Sequence, residues 1–282
     1  MIAAAIGKTC ELQVVEKQEF GFYLDAGKLG KVLLPRRQAP QGLSAGDRIE
    51  VFLYYDADGD VVASTQKAKA QVGEFAYLKV SAITDFGAFL DWGLDKDVLV
   101  PFAEQHKPMA AGHSYLVYVY INKADGRITA SSKVDKFVDD AEPQNYKPQQ
   151  AVDLIIANST DLGYKAVINQ KHWGMLFKED VFQRLSFGQH VQGFIKQIRP
   201  DGKIDLSLHS GPQSRDRNQQ TILHYLQNHG GFASVHDKSD PQLIAHLFGM
   251  SKASFKKAIG GLYQQRIIDI GKDGIRLQGE QE

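Results

Sequence analysis

The sequence predicts a mainly β protein, with three small five-stranded barrels in tandem followed by an α-helical C-terminal domain. Three observations carry that prediction. The first is an internal register. Displaced by 66 residues, Gly7 falls on Gly73, Gly21 on Gly87, Pro35 on Pro101 and Gly46 on Gly112. Displaced by a further 76, Gly87 falls on Gly163, Gly112 on Gly188, Gly126 on Gly202 and Ser131 on Ser207. Glycines hold turns and bulges where a side chain would clash, so this repeated spacing means that one small fold is written three times. The second observation is a shared order of short β-rich runs closed by an Asp-Gly hairpin turn in every copy. The third is a change of period from two to helical after Pro212.

The second copy is the clearest. Strands are expected over 73–83, 84–91 (with a bend or bulge at Gly87), 98–101, 116–121 and 128–131, the last two joined through Asp125-Gly126. The first copy repeats the order over 12–15, 20–24, 32–35, 49–55 and 61–64, turning at Asp58-Gly59. The third follows more loosely over 152–157, 164–168, 174–177, 191–198 and 204–207, turning at Asp201-Gly202. Five short strands in some 60 residues, with a long connection between the third and fourth, fit a closed barrel of the OB type. The expected segments are 1–68, 69–140 and 141–212 for the barrels and 213–282 for the remainder.

That remainder reads as a helix through 221–226 ended at Gly230-Gly231, and a second helix opened by Asp240 as N-cap with Pro241 in its first turn. A tight turn at Gly249-Met250-Ser251 leads to a third helix over 251–265, and a hairpin turns at 272–274. Helix, helix, tight turn, helix and hairpin is the winged helix-turn-helix order. Phe255, Ile259 and Leu262 form the buried stripe of the third helix; Lys252, Lys256 and Lys257 point elsewhere, and Gly260-Gly261 weakens its second half.

Composition excludes several classes. Lys plus Arg and Asp plus Glu are 33 each, so no basic slab for duplex binding exists; the last two segments are slightly basic and the first two slightly acidic. Cys10, the only cysteine, excludes a disulfide framework and a cysteine zinc site, and its place in a strand marks a buried thiol. The N-terminus carries no basic leader, and no apolar run approaches the roughly 20 residues of a bilayer span, so a soluble intracellular protein is expected. Asp56, Asp58 and Asp60 lack the late Glu of a calcium loop, the nine histidines show no ligand spacing, and no phosphate-cradling glycine loop precedes a Lys-Ser or Lys-Thr pair. The chain is read as no enzyme, with no cofactor and no metal.

The runs Phe86-Gly87-Ala88-Phe89, Val98-Leu99-Val100-Pro101 and Asp125-Gly126-Arg127-Ile128-Thr129-Ala130-Ser131 resemble the S1 RNA-binding motif, a variant of the OB barrel. That resemblance implies a base-stacking pair at Phe86 and Phe89, with Arg127 in the arginine place, Lys123 in the aspartate place and Pro101 in the histidine place. In the first copy it implies Phe20 and Tyr23 as the aromatics, with Pro35 in the histidine place and Asp60 where a cation belongs. In the third, Leu162 and Lys165 take the stacking places, with Tyr164 beside them and Lys203 in the arginine place. Alternation alone sends Phe86 and Phe89 to opposite faces, so both are exposed only if the chain bends at Gly87; otherwise one is core.

Three such units and a winged helix across nearly the whole chain are similar to the conserved virulence factor B family of bacterial RNA-binding regulators. The resemblance implies a cytoplasmic bacterial protein that binds single-stranded RNA and regulates gene expression after transcription, with Lys203 and Lys252, Lys256 and Lys257 guiding the backbone. Two other readings stand beside it: a transcription regulator that reads duplex DNA through 251–265, and a scaffold that docks on ribosome or RNA polymerase components.

Overall fold

The computed structural model describes residues 5–56, 58–139, 146–178, 181, 185–209 and 211–278, with the side chains of 211–216 outside that description. The expected segment boundary at 140/141 and the first four residues of the N-terminus lie outside the described residues. The chain forms two compact units, Met1–Val138 and Asp139–Glu282.

The first unit holds two barrels. One is built from β1 (Thr9–Gln18), β2 (Gly21–Asp25), β3 (Lys31–Pro35), β4 (Arg48–Tyr55) and β5 (Val61–Ser64), closed in the order β1-β2-β3-β5-β4. The next is built from β6 (Phe75–Thr84), β7 (Gly87–Asp91), β8 (Val98–Pro101), β9 (Ser114–Ile121) and β10 (Ile128–Ser131), closed in the order β10-β8-β7-β6-β9. The first strand of each is long because it pairs twice, with its second neighbour through one half and its fourth through the other. A register shift between Val14 and Glu16, repeated between Val80 and Ala82, bends the strand between those duties.

These two barrels share a core. Leu24, Leu34 and Leu53 fill the first barrel, but the alternate β4 residues Phe52 and Tyr54 point out of it and pack with Trp92, Leu94 and Val98 of the second. Phe52 meets Trp92 edge-on at 5.5 Å, and the Trp92 indole donates to the Lys96 carbonyl at 2.6 Å. Asp95, in the β7–β8 loop, accepts from Arg37, from Gln38 at 2.9 Å and from Gln66 at 2.8 Å. Burying large aromatics from both sides contributes several kcal/mol, far more than the exposed ion pair, so the apolar contact fixes the two barrels against each other.

The second unit opens with the third barrel: β11 (Ala151–Ser159), β12 (Gly163–Ile168), β13 (His172–Phe177), β14 (His190–Ile198) and β15 (Ile204–Ser207), closed as β11-β12-β13-β15-β14. Tyr146 lies against its core and its hydroxyl meets buried His172 Nδ1 at 2.7 Å. The winged-helix part follows as α1 (Gly211–Asn228), β16 (Phe232–Ala233), α2 (Pro241–Phe248), α3 (Lys252–Gln264), β17 (Ile268–Ile270) and β18 (Ile275–Leu277). Asp240 caps α2 through the Gln242 N–H at 2.9 Å and Ser251 caps α3 through the Ser254 N–H at 3.1 Å.

All fifteen expected barrel strands are present, with ends shifted by a few residues. Three features of the C-terminal part were not legible. Helix α1 already begins at Gly211, so the expected boundary at 212/213 falls inside its first turn. The short β16 adds a third strand to the hairpin, in the order β16-β18-β17. Gly260 and Gly261 do not break α3; a Cβ on Gly261 would approach the buried Gln219 amide to 2.2 Å, so the glycine serves the close passage of α1. Cys10 is buried, as its strand position implies. Among the described residues no helix is long and apolar enough to cross a membrane, and no His, Cys, Asp or Glu cluster could hold a metal ion.

Two expectations follow. In Gly87→Ala and in Gly163→Ala the new Cβ would lie 2.3 Å from the Val100 carbonyl oxygen and 2.0 Å from that of Leu176, at φ of 140° and 155°. Each substitution should cost more than about 2 kcal/mol in urea unfolding. Burial, with the Lys171 charge adding to it and Asp139 opposing, holds His172 below the usual imidazole range. The unfolded chain therefore binds the proton more readily, and stability of the second unit should fall as pH drops below about 6.5. Thermal melting between pH 8 and 5 checks this, with His172→Gln flattening the dependence.

Candidate nucleic-acid interface

In the second barrel the two phenylalanines are presented by different means. Phe86 belongs to the two-residue turn between β6 and β7, not to a strand, so alternation does not govern it. It is 74% exposed, and its N–H donates to the Thr84 hydroxyl at 3.2 Å. Phe89 lies within β7, half-buried on the outward side, opposite Leu99 of β8, while Ala88 and Leu90 on either side of it point into the core. Gly87 between them packs so tightly on the Val100 carbonyl that no side chain fits. Just beyond Pro101, Phe102 adds a third ring, 55% exposed.

Arg127 and Lys123 do not join this aromatic end. Strand β10 runs parallel to β8 with Thr129 opposite Leu99, so Arg127 precedes it at the Val98 end, whereas Gly87 pairs with Pro101 at the other. Lys123 is exposed in the β9–β10 hairpin that leads to Arg127. Arg127 neighbours Lys96 instead: burial pushes the Lys96 ammonium below its usual range and the Arg127 charge pushes it further, with Asp56 opposing. The face thus has an aromatic end and a cationic end.

The first barrel repeats the aromatic end. Phe20 occupies the matching turn at 57% exposure, and the half-buried Tyr23 meets it edge-on at 6.1 Å. Arg36, which follows β3, stands beside them: its N–H donates to the Phe20 carbonyl at 3.0 Å and its guanidinium to that of Glu19 at 3.1 Å. Asp60, expected in a cation's place, belongs to the β4–β5 turn at the opposite end, where its N–H donates to the Asp56 carboxylate at 2.9 Å. The first barrel therefore does carry a cation with its aromatics, from a position one residue past Pro35.

In the third barrel the matching turn holds Leu162, 64% exposed. Tyr164 does not belong to the outward face: it takes the core-facing phase of β12 and packs against the barrel's interior, as Phe22 and Ala88 do in the other copies. The aromatics of this face are on β13 instead, where Trp173, Met175 and Phe177 alternate with buried residues. The Lys165 ammonium lies 3.8 Å from the Trp173 ring centre, and the Arg199 guanidinium 5.3 Å from that of Phe177. Arg199 is held there by buried Asp205 at 2.9 Å, which also accepts from Gln197 at 2.6 Å. Lys203 pairs with Asp201 of its own turn at 2.9 Å, and holds that carboxyl below its usual range. Each ring is already faced by a cation from its own barrel, so a base would have to displace it.

On the winged helix, Lys256 and Lys257 are exposed, Lys252 is half-buried, and Lys256 reaches Asp237 only at 3.9 Å. Tyr263 is exposed further along α3.

Closed five-stranded barrels, two of them with an aromatic turn before the second strand, followed by a winged helix, place the chain among tandem S1-domain proteins. The S1 domain model matches 6–66 and 72–133, and the model for a CvfB-like winged helix domain matches 220–277. The chain is 29% identical to YitL of Bacillus subtilis over 275 residues, covering 91% of this chain and 88% of that protein. It is 28% identical to conserved virulence factor B of Staphylococcus aureus over 250 residues, covering 83% of this chain and 81% of that one. A multidomain Streptococcus pneumoniae protein with nucleic acid binding domains, known from a crystal structure, aligns over 97% of this chain and 98% of its own at 22% identity, with a TM-score of 0.41. The chain thus carries S1 domains and a CvfB-like winged helix domain, and over most of its length it is similar to conserved virulence factor B.

Exposure separates the residues in a measurable way. Phe86→Ala should leave thermal stability within about 0.5 kcal/mol of wild type, while Tyr164→Ala should cost about 2 kcal/mol or more.

Proposed function

We propose that the chain is a non-catalytic RNA-binding protein that holds single-stranded RNA on the outward faces of its first two barrels and regulates gene expression after transcription in the bacterial cytoplasm. What supports this reading is Phe86, 74% exposed in the turn before β7, with the half-buried Phe89 on the outward phase of that strand. Large rings left in water are costly to a monomeric fold unless something covers them, and unpaired bases supply flat apolar surface of matching size. The neutral overall charge favours the same partner, because a duplex binder relies on many phosphate contacts and a single-strand binder draws much of its affinity from stacking. Lys123 and Arg127 at the far end of that face, and Phe20, Tyr23 and Arg36 on the first barrel, extend the surface. Tyr164 and Lys203 are set aside as contacts, since one is half-buried against the core and the other is paired within its turn. Lys252, Lys256 and Lys257 guide the backbone from the winged helix. The chain uses no cofactor, and ribosome or RNA polymerase components remain as secondary docking partners.

The test is a titration of full-length protein with fluorescent single-stranded RNA and, in parallel, duplex DNA of equal length, over a range of salt. Stacking is worth roughly 1–3 kcal/mol per base, so Phe86→Ala with Phe89→Ala should weaken RNA binding at least tenfold. Undiminished affinity in the folded double variant removes the stacking claim. A strong preference for the duplex transfers the function to α3.

A further inference from the structure

We infer that the contact between Tyr146 and His172 is an acid-sensitive latch, which pins the chain entering the third barrel to the tip of the β12–β13 hairpin and releases it when the imidazole is protonated. The latch lies where the chain passes from one compact unit to the next, since Val138 ends the first and Asp139 begins the second.

The hairpin tip is held from two sides. A three-residue turn, Asn169 to Lys171, joins β12 to β13, with Ile168 paired to His172 across it. Asn169 and Gln170 hold φ of 47° and 62°, a left-handed form that residues with side chains keep only where their surroundings enforce it. Strand β11 enforces it on one side: the Asn169 N–H donates to the Asp153 carbonyl and the Asp153 N–H to the Asn169 side-chain oxygen, each at 2.9 Å. The entering chain holds the other side. The Asp139 N–H donates to the Lys171 carbonyl at 2.9 Å, and further along Tyr146 lies against His172. Both ends of that stretch thus return to one turn. Beyond it the Gln149 N–H donates to the Ile195 carbonyl at 2.7 Å, where the chain meets β14.

Tyr146 and His172 are each 7% exposed, their rings meet edge-on at 5.4 Å, and the hydroxyl stands 2.7 Å from Nδ1. Burial pushes the Tyr146 hydroxyl above its usual range, so it keeps the proton that a neutral imidazole accepts. Protonating His172 ends that acceptance and places a charge on a ring with almost no access to water. Two charges act on the ring: Lys171 disfavours its protonated form and Asp139 favours it, while Asp153 meets the turn through its backbone. Burial is the largest effect, so the imidazole of the closed latch titrates below its usual range. In the open latch the ring is wet and titrates near about 6.5. The open form therefore binds the proton more readily. The closed form holds its full advantage above about pH 6.5 and loses it as pH falls below that value.

Opening is local, because the ladder β11-β12-β13-β15-β14 includes no residue before Ala151. It frees the eight residues from Asp139 to Tyr146, which reach about 25–30 Å at full extension.

Hydrogen exchange of the full-length protein, read by mass spectrometry at pH 7.5, 6.5 and 5.5 and corrected for the intrinsic rate, tests the latch. The amides of Asp139 and Lys147, which donate to the Lys171 carbonyl and the Gln150 side chain, should lose protection several-fold between pH 6.5 and 5.5. One proton allows at most about tenfold per pH unit. The amides of β11 and β14 should keep their protection, and in His172→Gln the pH step should vanish. Constant protection at Asp139 and Lys147 overturns the latch. A loss shared equally by β11 and β14 also overturns it, since that marks unfolding of the whole barrel, and so does a step that survives in folded His172→Gln. Should that variant fail to fold, NMR titration of the imidazoles decides. The ring that Tyr146→Phe perturbs should titrate below the usual range in the wild-type protein; an ordinary titration, or no perturbed ring, overturns the latch.

Discussion

One close approach governs each barrel: the residue heading the second strand lies so near the backbone of the third that it has no room for a side chain. A Cβ on Gly21 would stand 2.4 Å from the Leu34 carbonyl oxygen, one on Gly87 2.3 Å from that of Val100, and one on Gly163 2.0 Å from that of Leu176. Such contact draws the second and third strands together where the barrel must close, and it forces the preceding turn outward. The residue before each glycine is thereby exposed, whatever it is: Phe20, Phe86 and Leu162. A structural necessity of the scaffold thus creates a fixed pedestal on which the chain displays a large apolar side chain.

What is displayed on and around that pedestal differs among the copies. The second barrel surrounds it with Phe89 and Phe102 and keeps its cations, Lys96 and Arg127, at the opposite end. The first pairs Phe20 with Tyr23 and adds Arg36 at once. The third keeps rings but covers them with its own Lys165 and Arg199, the latter locked by a buried carboxylate. A cation over a ring satisfies the surface that a base would otherwise take, so the third barrel is self-occupied rather than bare. The partnership of the first two barrels rests on a different contact, the outward β4 residues Phe52 and Tyr54 that only a neighbouring barrel could cover.

The fold was legible in the sequence because its determinants are local. Glycines at fixed intervals, Asp-Gly turns and alternation specify each hairpin, and Asp240 and Ser251 cap their helices as their residue types imply. The placement of the phenylalanine pair was half legible. Alternation forbade both on one face, and the resolution was that Phe86 lies in a turn, outside the strand's period. Tyr164 was misplaced because its neighbour Lys165 holds the outward phase, which a comparison with core-facing Ala88 would have revealed. Trp173 and Phe177 were not legible from the second strand's pattern, because in this copy the outward aromatics occupy the third strand. Lys96 and the Asp95 bridge depend on contacts between barrels, and no periodicity within one barrel encodes those. Gly261 of α3 read as weakness because Gln219 of the crossing helix, which approaches it, is distant in sequence.

The account turns on where a single strand lies on the full-length chain. Photo-cross-linking with a 4-thiouridine RNA of twelve nucleotides, followed by mass spectrometry of the linked peptides, locates it directly. The account predicts cross-links at Phe20 or Tyr23 and at Phe86 or Phe89, with a strand long enough to reach both barrels. Cross-links confined to 252–264 of the winged helix, with none on the first unit, would contradict it.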